Sequence, residues 1–142
     1  GEDSVRIVEG RVSRGSGAAA TNFKIRGADS LIAEKMGLPP LHPGTLNVHT
    51  ETEFPFGDQC DAFIPESEYN GREWIKLKRC RIRGVRCILV RPKDHERVGK
   101  FKHRIEIMSP YALRKRLDLA EGDKLEVELE GDEDWWNAPE PV

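Results

Sequence analysis

The chain of 142 residues is the size of one domain, and it carries a formal net charge of only −2. Hydrophobic residues make up 37% and charged residues 34%, polar for the length but too apolar for a disordered chain. The longest apolar run, Cys87-Ile88-Leu89-Val90, is far too short to cross a bilayer. No basic-then-apolar leader opens the sequence and Gly1 reads as a trimmed start, so a cytoplasmic protein without a membrane partner is expected.

The small net charge hides an uneven distribution. Residues 72–104 hold 13 Lys and Arg against three acids, whereas residues 50–71 hold six acids and no base. A basic block can mark a site for nucleotide phosphates or nucleic acid, but it equally describes a solvated strand surface balanced by acidic neighbours. Cys60, Cys80 and Cys87 have no CxxC spacing, and the four histidines are scattered. Reduced, metal-free thiols are expected.

In chain order, Val5-Arg6-Ile7-Val8 with Val12 reads as a first strand, and Phe23 with Ile25 as a second short one. Between them Arg14-Gly15-Ser16-Gly17-Ala18-Ala19-Ala20 contains mostly small residues, which let the backbone approach a ligand. Asp29 or Ser30 can cap a helix carrying Leu31, Ile32, Ala33 and Met36, with Gly37 at its end. Pro39, Pro40 and Pro43 prevent its continuation, and Thr45 to Thr50 is the next strand. Residues 51–72 suit a long exposed loop with a short strand in it.

From Glu73 to Val90 the pattern is strand-like, with Ile75 and Leu77 in one phase and Cys80 and Ile82 in the other. That slip predicts a bulge or tight turn near Lys78-Arg79. Residues 91–103 read as a polar, basic loop. Arg104 to Met108 is a strand running into Ser109-Pro110, the cap and first residue of a helix that ends near Asp118. Lys124 to Glu130 alternates cleanly. Many short strands with two helices, and no strand–helix–strand rhythm, predict a small β-barrel with attached helices.

Three segments carry candidate chemistry. Gly15-Ser16-Gly17-Ala18 could point successive N–H groups at phosphate oxygens, although it matches neither a Walker loop nor a dinucleotide fingerprint. Thr45 and Asn47 share one strand face while Leu46 and Val48 face the core, and their hard, neutral oxygens suit Mg²⁺ completed by phosphates and water. Ordinary turn chemistry beside Pro43-Gly44 explains that pair as well. Ser109 to Arg114 offers a helix start and a guanidinium to an anion or a base. Glu106, inside an apolar strand, reads by periodicity as an outward-facing residue.

Taken together, Leu31 to Pro39, Pro43-Gly44-Thr45-Leu46-Asn47-Val48, Ile105-Glu106-Ile107-Met108-Ser109-Pro110 with Leu113-Arg114, and the stretch from Leu117 through Gly122-Asp123 to the last strand resemble the archaeal-type CTP-dependent riboflavin kinase family. The likeness runs from about Val5 to Leu129. It implies a closed six-stranded barrel of the cradle-loop kind with two short helices, CTP as phosphoryl donor, and riboflavin as the acceptor that becomes FMN. By the same resemblance Gly15, Ser16, Gly17, Ala18, Tyr111, Ala112, Leu113 and Arg114 would bind the nucleotide. Thr45 and Asn47 would hold Mg²⁺, and Glu106 would contact the flavin. No general base stands out.

The sequence departs from the family pattern where an arginine-threonine-x-histidine segment is replaced by Arg91-Pro92-Lys93-Asp94-His95. Two alternatives therefore stay open: the same scaffold acting on another acceptor, or a non-enzymatic nucleotide- or DNA-binding barrel. Leu113 to Val127 also resembles the swapped-hairpin barrels of bacterial DNA-binding regulators, but nucleic acid is not the expected partner. A monomeric barrel domain over residues 1–130 is expected, followed by an acidic tail, 131–142, dispensable for ligand binding unless Trp135 and Trp136 pack on the barrel.

Overall fold

The computed structural model describes residues 6–14, 27–54, 60–69, 71, 73–93, 102–129 and 134–137. Seven strands form one antiparallel sheet: β1 (Arg6–Ser13), β2 (Leu46–Thr50), β3 (Ala62–Ile64), β4 (Ile75–Ile82), β5 (Val85–Pro92), β6 (Arg104–Met108) and β7 (Lys124–Leu129). The order β4-β5-β6-β2-β1-β7 returns to β4, which closes a six-stranded barrel, and β3 is an extra strand on β4. One edge of β4 serves two partners in turn. Ile75 and Leu77 pair with β3, then Cys80 and Arg81 pair with Leu129 and Glu128 of β7. The predicted second strand at Phe23 and Ile25 lies outside the described residues.

The barrel encloses a core that includes Val8, Val12, Leu46, Val48, Cys80, Ile82, Leu89, Ile107, Leu125 and Val127. A second core covers the outer face of β4, β5 and β6, where helix α1 (Ala28–Met36) contributes Ile32 and Met36 against Ile75, Leu77, Ile88, Val90 and Met108. Each fully buried aliphatic chain contributes about 1.5–3 kcal/mol, so both layers are needed for a domain this small. All eight residues of β5 are buried in consequence.

This double burial explains the phase slip. The predicted bulge at Lys78-Arg79 is absent, and β4 pairs with β5 in continuous register from Ile75–Pro92 to Ile82–Val85. Ile75 and Leu77 point to the outer core, while Cys80 and Ile82 point into the barrel. The apolar residues change face because the covering layer changes, and the backbone does not shift. The tight turn comes later, at Arg83-Gly84, where both residues have positive φ, 50° and 81°, as a two-residue hairpin requires.

Helix α1 starts after Gly27 without a side-chain cap, rather than at Asp29 or Ser30, and ends at the expected Gly37. Asp29 instead accepts a hydrogen bond from the N–H of Ser30 in the first turn. The second predicted helix is shorter than expected: α2 spans only Leu113–Arg116. Ser109 makes a local turn, its Oγ accepting from the Tyr111 N–H at 3.2 Å, and the chain becomes helical at Leu113, beyond the start that Pro110 suggested. A further turn, α3 (Asp134–Asn137), buries Trp135 in the outer core. Cys60, Cys80 and Cys87 form no disulfide, although Cys80 and Cys87 are register partners across β4 and β5, a proximity that their spacing in the chain does not reveal.

Closure brings backbones close at Gly10, where a Cβ would lie 2.6 Å from both the His49 carbonyl oxygen and Val48 Cγ1. Gly10→Ala should therefore destabilise the fold by about 2 kcal/mol, because backbone rather than a flexible side chain must yield. Urea denaturation of the variant against wild type measures this, and an unchanged midpoint would contradict the close approach.

Candidate active site

Parts of two segments singled out in the sequence, Pro43 to Leu46 of Pro43–Val48 and Ser109 with Tyr111 to Arg114 of Ser109–Arg114, line one cavity of about 220 Å³ together with His42, Ile107 and Lys115. The His42 N–H donates to the Ser109 carbonyl at 2.8 Å, which ties one segment to the other by backbone alone. Thr45 lines this cavity together with Tyr111, Ala112, Leu113 and Arg114. Arg116 stacks over the Tyr111 ring at 4.2 Å and holds it from the solvent side. Arg114 reaches back to β1, where its Nη2 donates to the Ser13 carbonyl at 2.9 Å. That bond places the arginine at the strand end from which the Gly15–Ala18 segment departs; the segment itself lies outside the described residues. Because α2 is a single turn, its dipole adds little here, and charge at this mouth comes from side chains such as Arg114 and Lys115.

Asn47 and Glu106 lie beside this cavity, on the outer face of the barrel wall. The strand registers align Ser13, Asn47, Glu106, Val90, Leu77 and Ala62 in one row across the sheet. Asn47 Nδ2 donates to the backbone oxygen and to Oγ1 of Thr45 at 3.4 Å each, long bonds that engage one hydroxyl lone pair and leave the other. With its nitrogen turned to Thr45, the Asn47 amide offers its oxygen on the other side. Thr45 and Asn47 thus present hard, neutral oxygens on one strand face, a donor set suited to Mg²⁺ that also binds phosphates and water.

The expectation of an exposed Glu106 does not hold. It faces out of the barrel, but that face lies under the outer core and Glu106 is only 9% exposed. Burial pushes its carboxyl up from an ordinary 4.5 to about 7; Arg104 and Arg91 pull the other way, and Glu73 adds to the rise. Arg91, from the segment that departs from the family pattern, is itself buried and donates to the carbonyls of Arg104 and Phe54. It serves the fold at the strand end.

A larger hollow of about 470 Å³ lies on the β1–β7 side, lined by Glu9, Glu51, Glu126 and Glu128 with Arg83 and Lys124. Four carboxylates against two cations repel phosphate, so size alone does not make it the nucleotide site.

The Glu106 carboxyl sets a pH dependence. Between about pH 4.5 and 7 the folded chain keeps a proton that the unfolded chain releases, so stability should fall as pH rises through that window, by on the order of 3 kcal/mol. Glu106→Gln keeps the neutral form and should flatten the fall. Urea midpoints at about pH 5 and about pH 8.5 test it, and parallel losses in both proteins would remove the buried-carboxyl assignment.

Comparison with known proteins bears on this arrangement. The family model CTP-dep_RFKase, described as Domain of unknown function DUF120, matches residues 12–129. The chain is 34% identical over 133 residues to a riboflavin kinase of Pyrobaculum arsenaticum, covering 89% of this chain and 61% of that protein. It is 32% identical over 126 residues to one from Methanocella arvoryzae, covering 87% and 57%, and 35% identical over 131 residues to one from Pyrococcus abyssi, covering 87% and 58%. It thus spans about three-fifths of the length of these curated relatives. With the barrel and the ordered motifs described above, the chain belongs to the CTP-dependent riboflavin kinase family.

Proposed function

We propose that this protein transfers the γ-phosphoryl group of CTP to the terminal ribityl hydroxyl of riboflavin, giving FMN and CDP with Mg²⁺ as cofactor. The observation that supports the reading is that Thr45 lines the same cavity as Tyr111–Arg114, with Asn47 and Glu106 register partners on the neighbouring strands. In the reaction the acceptor oxygen forms a bond to the γ-phosphorus, the bond to the bridging oxygen breaks, and the hydroxyl proton is released. Such a reaction needs alignment and charge neutralisation more than covalent help from the protein.

The residues divide that work. Tyr111 to Arg114 would line the base end of the donor, and Gly15 to Ala18 would cradle its phosphates. The cavity of about 220 Å³ is below the usual ~300–1,000 Å³ of small-molecule sites, so it would take one end of a nucleotide and favour the smaller pyrimidine. Thr45 and Asn47 would hold Mg²⁺, which supplies positive charge against the phosphate oxygens. Glu106, close to half-protonated near neutral pH, would hydrogen-bond the flavin as donor or acceptor.

Two findings weigh against a nucleic-acid-binding barrel. The basic block would have to lie exposed on one face, yet Arg79, Arg86 and Arg91 are buried. Arg79 is committed to Asp61 at 3.0 Å. Among the described residues the cavity lining also carries only Arg114 and Lys115 as Lys or Arg, beside a neutral turn and an apolar stretch, which is short of a basic stripe.

FMN formation measured with each nucleotide tests the proposal. Wild type should convert riboflavin with CTP and Mg²⁺ and prefer CTP to ATP. Asn47→Ala should lose roughly a hundredfold in rate, because charge neutralisation of the phosphates is a main term in this chemistry. Its two long contacts to Thr45 imply a stability cost of only about 1 kcal/mol. A folded Asn47→Ala protein with full activity would remove the metal assignment. Wild type that binds CTP but leaves riboflavin untouched would move the acceptor to another small alcohol.

A further inference from the structure

Turn α3 is fixed to the barrel by Trp135, which is fully buried. Its Nε1–H donates to the Cys80 carbonyl at 2.9 Å, and its own carbonyl accepts from Arg86 Nη1 at 3.0 Å. The Arg86 guanidinium also lies 5.4 Å from the centre of the Trp135 ring, a cation–π spacing. Arg86 is 6% exposed, and a cation so far out of water is held where its partners are. Trp135 therefore helps to set where Arg86 can sit.

Arg86 also touches the cavity lining through its backbone. Its carbonyl accepts from Ser109 Oγ at 3.2 Å, and that same oxygen accepts the Tyr111 N–H at 3.2 Å. Ser109 and Tyr111 both line the cavity. A continuous path of contacts thus runs Trp135–Arg86–Ser109–Tyr111, from a turn beyond the family match, which ends at residue 129, to the wall assigned to the donor.

We infer that α3 is a positioning element of the donor site, with Trp135 acting through Arg86 to fix Ser109 and Tyr111 and so to set the affinity for the nucleotide. The inference rests on the reading of this cavity as the donor site, and it runs against the expectation that residues 131–142 are dispensable for ligand binding. Trp135 touches no substrate; its effect is transmitted.

The test uses the full chain with Trp135→Ala, Trp135→Phe and Arg86→Lys, assayed well below each melting temperature. Calorimetric binding of CTP with Mg²⁺ accompanies separate KM values for CTP and riboflavin. Trp135→Ala should raise the KM for CTP about fivefold, the effect of the lost ring contact to the Arg86 guanidinium, with kcat and the riboflavin KM within about twofold of wild type. Trp135→Phe, which keeps the ring, should recover most of the loss. A purely structural role would lower the melting temperature and the active fraction and leave the KM for CTP unchanged, and that result overturns the inference. If Trp135→Ala does not fold, Arg86→Lys decides: weaker CTP binding supports the inference and unchanged binding overturns it. Wild type that binds no CTP would overturn the donor-site reading and this inference together, whereas variants matching a CTP-binding wild type would overturn this inference alone.

Discussion

The contact on which the rest of the molecule depends is the short pairing of β4 with β7, where Cys80 meets Leu129 and Arg81 meets Glu128. Without it the seven strands would be an open sheet with unpaired edges. With it, β4 must give up β3 midway and turn toward β7, and the wall it shares with β5 becomes apolar on both sides. The outer layer of α1 and Trp135 is the answer to that second apolar face.

The candidate site follows from the same geometry. Where β2 and β6 run side by side, one face of the wall feeds the barrel core through Leu46 and Ile107, and the other presents Asn47 opposite Glu106. The loops before β2 and after β6 must leave the barrel at the same end, and the His42–Ser109 hydrogen bond joins them there. A rigid wall with two stapled loops at its rim can hold neutral oxygens and a reluctant carboxyl in fixed relation, as an electrostatically preorganised site requires. Part of the basic block, meanwhile, is taken up inside the protein: Arg79 by Asp61, Arg86 by Trp135, and Arg91 by backbone carbonyls.

Much of this could be read from residue pattern. Alternation located β7, the Pro-Gly turn located the start of β2, the many short strands without a strand–helix–strand rhythm pointed to the barrel, and the motifs in order pointed to the family. Burial was harder to foresee. Periodicity reports which side chains share a face, but it does not say whether that face is covered, so Glu106 looked solvent-facing and the change of face in β4 looked like a bulge. The Ser109-Pro110 signal was real but local: the serine oxygen was taken by a turn, and the helix began only at Leu113. Trp135 gave a warning of packing, yet nothing in the linear pattern named Arg86 as its partner, since 49 residues separate them.

The barrel joins the two ends of its own strand list, for Arg6 in β1 pairs with Leu129 in β7. By contrast the β4–β5 hairpin closes across a two-residue turn. A ribosome therefore releases a hairpin apolar on both faces well before the strand that completes the ring exists. Folding of such a chain is governed by the entropy of bringing distant segments together, which puts it with the slow, high-contact-order β proteins on the ~millisecond-to-second scale. During synthesis the half-built wall, rather than the finished barrel, is the species with apolar surface and open edges to shield.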